Sequence, residues 1–445
     1  MSSFRFPASS SATRFLSRRY WRTRLVFWGG AIAVGLVSVA FAKAANEVQD
    51  LFARILVHPW IALVLTPAGF VLSAWMARAV FPGSQGSGIP QAIAARELEE
   101  STARKRLLSL KLAFGKILLT LLGLASGASI GREGPTVQVG AAIMLATARA
   151  GGAVLEKGLI LAGSAAGVAA AFNTPLAGIV FAIEEMSREY EQRTSGLVLI
   201  SVILAGLASL GLVGNYDYFG SSSAMLRVTI DWLAPIFCGV LCGAMGALFA
   251  RLVIFGTARI KSWVAPAPMM RALTVAGVCG LIVALCGLAS AGMTYGTGYG
   301  AARLAVEGHA LPWIFSPLKF VATAASTLSG IPGGLFAPSL SVGAGFGEVI
   351  GKVLGVHSMG AVVLLGMASY FAGVTQAPIT AFVIIDEMTN SRGMVIPLMI
   401  AAFIGYGVSR LIQHESLYHA LAKGFLRDGP ESPPPTVSTA LPPAS

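Results

Sequence analysis

The chain has 445 residues, 55% hydrophobic and 12% charged, with a net charge of +12 and a mean hydropathy of +0.74. Soluble domains carry about 25% charged residues, so an ordinary water-soluble protein is excluded. The basic residues gather at the ends of apolar runs instead of covering a surface, which argues against nucleic acid as a partner. Apolar runs near the roughly 20-residue length of a bilayer-crossing helix recur along almost the whole chain, predicting an all-α polytopic membrane protein in a lipid bilayer.

In chain order, Arg14, Arg18, Arg19, Arg22 and Arg24 precede a first apolar run at 25–42, and the positive-inside rule holds segment 1–24 in the cytoplasm. Tyr20, Trp21 and Trp28 are expected near the headgroups. Lys43, Glu47 and Asp50 follow a run already long enough to span, so an uncleaved first helix is expected rather than a signal peptide. Further apolar blocks fall at 53–80, 107–126, 135–150, 153–170, 175–187, 195–215, 228–257, 270–293, 313–328, 335–356, 359–374, 376–388 and 393–413. Several are too short to cross a bilayer and read as half-helices that meet inside it. Cys238 and Cys242 share a helix face, but nothing adjacent completes a metal site, since His309 and His357 lie in other segments. With Cys279 and Cys286 they are expected to be buried and structural. The proline-rich stretch 426–445 has the composition of a disordered tail.

A shift of 203 positions aligns 127–185 with 330–388 without a gap and with about a quarter of positions identical, including Pro135 with Pro338, Pro175 with Pro378 and Glu184 with Glu387. Two membrane repeats are therefore expected, at 25–215 and 216–425; their inverted orientation is an inference from the transporter class.

Three glycine-proline breaks interrupt the apolar runs: Gly86-Ser87-Gly88-Ile89-Pro90, Gly131-Arg132-Glu133-Gly134-Pro135 and Gly334-Leu335-Phe336-Ala337-Pro338. Proline suits the first turn of the helix that follows, and glycine bends the chain ahead of it. Such helix starts present N–H groups that bind anions without a lysine, and partial charges release the ion where a full cation would retain it. A small anion is the expected substrate, with Gly88, Ile89 and Gly134 among its backbone surroundings. Glu133 sits in the second break, where a carboxylate is costly unless it functions or is paired; ionised, it competes with the anion for the same N–H groups, and protonated, it withdraws carrying a proton.

These breaks in this order, with the Glu184-Glu185 pair and Tyr418 in Leu417-Tyr418-His419-Ala420-Leu421, resemble the CLC chloride channel and transporter family from about residue 25 to 425. The resemblance implies a homodimer in which each subunit has two inverted halves and its own anion path. It also implies that Ser87 and Tyr418 coordinate the central anion, Leu335 and Phe336 offer it backbone N–H groups, Glu133 is the gating glutamate and Glu185 the internal proton glutamate. Serine at position 87 implies chloride rather than nitrate or fluoride. Glu185 aligns with Met388 in the second repeat, so Glu184, repeated as Glu387, reads as structural and Glu185 as functional; a solvated helix end is the competing reading. Lys116 resembles a buried lysine of the family, or else snorkels to the interface.

The expected activity is chloride/proton antiport across an inner or plasma membrane with both termini cytoplasmic. The alternative is a passive, voltage- or proton-gated chloride channel. No enzyme is indicated, since the chain has no His-Glu-x-x-His or Gly-x-Ser-x-Gly motif, and neither a P-loop, a dinucleotide fingerprint nor a metal-ligand cluster calls for a cofactor.

Overall fold

The computed structural model describes residues 18–151, 156–187, 192–214, 225–226 and 230–427. Arg14, the expected repeat boundary at 215–216 and residues 428–445 of the expected tail lie outside them; residues 426 and 427 belong to the last helix.

The helices are α1 (Arg18–Ile55), α2 (Ala62–Ala79), α3 (Ile89–Glu97), α4 (Ser101–Leu107), α5 (Leu110–Ala125), α6 (Glu133–Gly151), α7 (Glu156–Phe172), α8 (Pro175–Phe181) and α9 (Gln192–Val213). After them come α10 (Ala234–Val264), α11 (Pro268–Ala289), α12 (Tyr299–Val306), α13 (Phe315–Leu328), α14 (Phe336–Leu354), α15 (Met359–Thr375), α16 (Pro378–Thr389), α17 (Val395–Ile412) and α18 (Leu417–Arg427). Among the described residues, seven helical stretches are long and apolar enough to cross a membrane. The first runs well past the apolar run that defines it in sequence. Lys43, Glu47 and Asp50 do not stop it, because they face outward while Phe41, Ala45 and Phe52, at helical spacing, keep one face on the protein.

The shorter blocks form the interior. Every residue from Gly158 to Phe172 of α7 is buried, as is all of α15 from Gly360 onward. Glycines allow that depth of packing: a methyl added at Gly343 would sit 2.7 Å from the Gly366 carbonyl oxygen, and one at Gly366 2.5 Å from that of Gly343.

The 203-residue shift holds in three dimensions. It carries the first and last residues of α6 onto those of α14, and those of α7 onto those of α15. Backbone conformation repeats too, with φ of 81° and 76° at Gly127 and Gly330, and of 57° and 59° at the non-glycine pair Asn173 and Gln376. The Gly131 N–H donates to the Gly334 carbonyl at 2.8 Å, and the Gly334 N–H to that of Gly131 at 2.7 Å. The bridge is antiparallel and both α6 and α14 start two residues beyond it, in opposite directions, as inverted repeats do.

Glu184 and Glu387 obey the same two-fold relation. Glu184 accepts from the N–H groups of Ile379 and Thr380 at the start of α16, at 3.0 and 2.6 Å. Glu387 accepts from Leu176 and Ala177 at the start of α8, at 3.0 and 2.9 Å. Each repeat thus caps a helix of the other, satisfying N–H groups that α8 and α16 cannot pair internally. Charge-assisted bonds of this kind contribute about 1.5–3 kcal/mol. Glu387→Ala is therefore expected to lower the thermal unfolding midpoint of the purified protein measurably, with Glu387→Gln intermediate; an unchanged midpoint for Glu387→Ala would contradict the role.

Candidate functional site

The three breaks meet. Gly88, with φ of 105°, turns the chain into α3, where Pro90 occupies the first turn. A methyl at Gly88 would lie 2.7 Å from the Gly134 carbonyl oxygen. One at Gly134 would overlap the Ser87 hydroxyl and come within 2.9 Å of the Ser87 carbonyl oxygen and 3.1 Å of the Gly334 Cα. The starts of α3, α6 and α14 are thereby drawn to one point in the interior.

Ser87 and Tyr418 approach it from opposite ends of the chain. Neither hydroxyl has a hydrogen-bond partner among the described residues, although both side chains are buried. The Tyr418 and Ser87 side chains interact with one another, though not in well-formed hydrogen-bond geometry, and Tyr418 senses the charges of Glu133 and Glu185. Two buried hydroxyls that meet without a well-formed hydrogen bond leave capacity for a ligand that accepts from both. Leu335 and Phe336 begin α14, whose first N–H groups have no partner within the helix. The Phe336 ring packs among Phe371, Phe181, Phe172 and Tyr418, with centroid distances of 4.7, 5.8, 5.9 and 6.1 Å, and lines the point with apolar surface.

Gly88 and Ile89 stand beside this point with a different job for Gly88. Its N–H donates to Gln91 Oε1 at 3.0 Å, so the group that sequence reading assigned to an anion is held by the protein as a helix cap. Ile89 is fully buried at the start of α3, and Gly134 serves by its lack of a side chain.

Glu133 opens α6 and is fully buried. Its Oε1 accepts from the Tyr299 hydroxyl at 2.6 Å, while Oε2 has no hydrogen-bond partner among the described residues. Adjacent Arg132 stays 3.9 Å away through Nε and is engaged by α1, donating to the Ala42 carbonyl at 2.5 Å and Asn46 Oδ1 at 2.8 Å. Glu133 and Phe336 are repeat mates: the same helix start carries a carboxylate in one half and an aromatic ring in the other.

Glu185 is buried, 3% exposed, which sets aside the solvated-helix-end reading. It lies in the π-helical turns Ala182–Ser187 that extend α8, whereas its mate Met388 lies in the regular α16. The wider turn directs Glu184 outward to α16 and leaves Glu185 facing α18; such turns often mark functional positions. Lys116 is also buried and does not snorkel: its ammonium donates to the Gly86 carbonyl at 2.8 Å, bracing the first break.

Three contacts went unread in the sequence. Lys319 is fully buried and donates to the carbonyls of Thr294 and Gly296 at 2.9 and 2.8 Å; it lies 203 residues after Lys116, so the repeat could have found it. Tyr299 begins α12 behind Gly298, whose φ is 81°, and Gly296-Thr297-Gly298 signals a break that lacks only the proline. His419 sits beside Glu185 through a contact between distant helices that no local pattern announces. Cys238 and Cys242 are buried, and among the described residues no group of three His, Cys, Asp or Glu side chains gathers as metal ligands would.

A cavity of about 490 Å³ reaches Ser87 and Leu335 from one face of the bundle; Arg78 and Lys261 line it with Leu421 and Phe425. Arg104, Lys105 and Arg106 lie in the last turn of α4, with Arg104 paired to Glu156 at 2.7 Å.

Broken helices of inverted repeats that meet at a buried point, reached by a cavity from one side, are the architecture of membrane transport proteins. The chain belongs to the voltage-gated chloride channel family, whose model matches residues 69–410. It is 30% identical over 423 residues to the proteins named H(+)/Cl(-) exchange transporter ClcA of Salmonella typhimurium and Citrobacter koseri, covering 87% of this chain and 85% of each relative. Among solved structures it resembles a slow cyanobacterial Cl-/H+ antiporter, with a TM-score of 0.79 and 23% identity over 92% of this chain and 98% of that one. It also resembles a CLC-type fluoride/proton antiporter, with a TM-score of 0.75 and 22% identity over 89% and 96%.

Proposed function

We propose that this protein is a secondary antiporter that exchanges chloride for protons across the bacterial inner membrane. The observation that carries the reading is the meeting of two buried hydroxyls, Ser87 and Tyr418, neither in a well-formed hydrogen bond, with the start of α14 next to a buried carboxylate. Chloride lies between the hydroxyls, held by them and by the N–H groups of Leu335 and Phe336, and is released readily because every charge on it is partial. It arrives through the basic-lined cavity. Glu133, ionised, is stabilised by the Tyr299 hydroxyl; when protonated, it loses its advantage over chloride for the electropositive helix ends and moves away with its proton. Glu185 exchanges protons with the cytoplasm. The cycle uses no metal, nucleotide or organic cofactor, since side chains and backbone bind both substrates.

The positive-inside rule supports the orientation. Arg96 donates to the Met186 carbonyl at 2.8 Å and to Ser187 Oγ at 3.0 Å, tying the Glu185 turn to the end that carries Arg104, Lys105 and Arg106. That end is cytoplasmic, as are both termini. Two copies form a dimer through α9 and α17. Of the seven spans these are the least covered within one chain, with 28% and 33% of their apolar windows buried.

Liposomes holding the purified protein test the reading. With a chloride gradient imposed, protons should move against their own gradient, and Glu185→Gln should lower the proton-to-chloride ratio toward zero. Chloride movement without proton displacement by the unaltered protein would favour the passive channel, and no anion movement would overturn both readings.

A further inference from the structure

We infer that His419 is the side chain that passes protons between cytoplasmic water and Glu185. The inference rests on the antiport reading and extends it to the step by which the internal carboxylate is filled. Glu185 is 4% exposed at its side chain, and its Oε1 has no hydrogen-bond partner among the described residues, so water alone reaches it poorly. His419 Nδ1 stands 3.4 Å from that oxygen while the imidazole is 17% exposed, making it a bridge between a buried acceptor and the outside. The same nitrogen lies 3.1 Å from Ser416 Oγ, just ahead of α18, which fixes the ring on the Glu185 side. A small rotation shortens the gap to hydrogen-bond range. Imidazole is suited to the task because it is a common proton-transfer side chain and offers two nitrogens, one toward each side.

The charged groups around the pair leave this step to His419. Glu184 is committed to the start of α16. Arg96 of α3 holds the backbone and hydroxyl at 186–187 and carries a permanent charge. On α18, Lys423 is paired with Glu415. Lys261 of α10 faces the cavity beside Leu421 and Phe425, on the chloride approach. Tyr418, next to His419, is fully buried and turned toward Ser87. In the transfer, His419 binds a proton from water at Nε2, the Nδ1 proton passes to Glu185 Oε1, and the ring returns to its starting tautomer by rotation or by exchange with water; no other reactant is consumed.

The test compares unaltered protein, His419→Gln, His419→Ala and Glu185→Gln in liposomes, recording protons and chloride together with the inner pH set between 5 and 8. His419→Gln should lower the proton-to-chloride ratio by about tenfold at neutral inner pH, less than the roughly 10²–10⁴ that a positioned proton-transfer group supplies, because water still reaches Glu185 slowly. The ratio should recover as inner pH falls and protons become plentiful. Imidazole enclosed in the liposomes should restore proton movement to His419→Ala and not to Glu185→Gln, a rescue that a merely structural histidine would not show. A ratio for His419→Gln equal to that of the unaltered protein across this range, or the absence of imidazole rescue, overturns the relay while leaving antiport intact. Unaltered protein that moves chloride without protons overturns the antiport reading and the relay with it. Elution of each variant as a single species before reconstitution shows that it is folded.

Discussion

Glu133→Ala is expected to reduce proton transport about a hundredfold or more, while chloride still crosses. A positioned acid-base group typically contributes about 10²–10⁴ to a proton transfer, and Glu133 is the carboxylate at the meeting of the helix starts. Alanine removes the proton carrier together with the side chain that competes with chloride for the helix end. The anion path then stays open and the coupled exchanger becomes a passive conductor. Paired chloride- and proton-sensitive electrodes on one liposome suspension give both rates at once. Retained uphill proton movement in Glu133→Ala would place the outer proton step on another residue.

The second large effect comes from adding one methyl group. Gly134→Ala would push its Cβ into the Ser87 hydroxyl, against the Ser87 carbonyl at 2.9 Å and toward the Gly334 Cα at 3.1 Å. No flexible side chain can yield on the last two sides, because both neighbours are backbone of other breaks. Overpacking costs about 1–3 kcal/mol, roughly five- to hundredfold in an equilibrium. It falls here on the separation of α3, α6 and α14, so chloride affinity is expected to drop by that factor while the outer helices remain in place. Isothermal titration of chloride into purified protein measures it, and an unchanged affinity would mean that the helix starts do not form the anion site. The same methyl at Gly29 of α1 meets nothing within 4 Å and is expected to be silent.

The central breaks were legible because their chemistry is local. Glycine and proline at fixed offsets determine where a helix can start, and the 203-residue shift showed that one such start was used twice. Bonds between the halves were visible only in part. Glu184 and Glu387 could be matched as repeat mates, but that each caps the other half's helix depends on the two-fold relation in space. The burial of Glu185 was hidden by the polar residues that follow it in sequence, since a π-helical turn changes the direction of the side chain without a clear local signature. Lys116 was ambiguous for a related reason. A lysine within an apolar run either reaches outward or finds carbonyls inside, and those of Gly86 and Gln85 are 30 and 31 residues away. Tyr299 and His419 act across even longer separations, where spacing along the chain carries no information.

The idea on which the rest depends is that one dehydrated point between Ser87, Tyr418 and the start of α14 holds the transported halide. Crystals soaked in bromide test it most directly, because bromide scatters anomalously and substitutes for chloride. The account predicts a peak within hydrogen-bonding range of the Ser87 and Tyr418 hydroxyls and the N–H groups of Leu335 and Phe336, and a second peak in Glu133→Gln where the carboxylate had been. Bromide bound elsewhere in the bundle, with no density between those two hydroxyls, would contradict it.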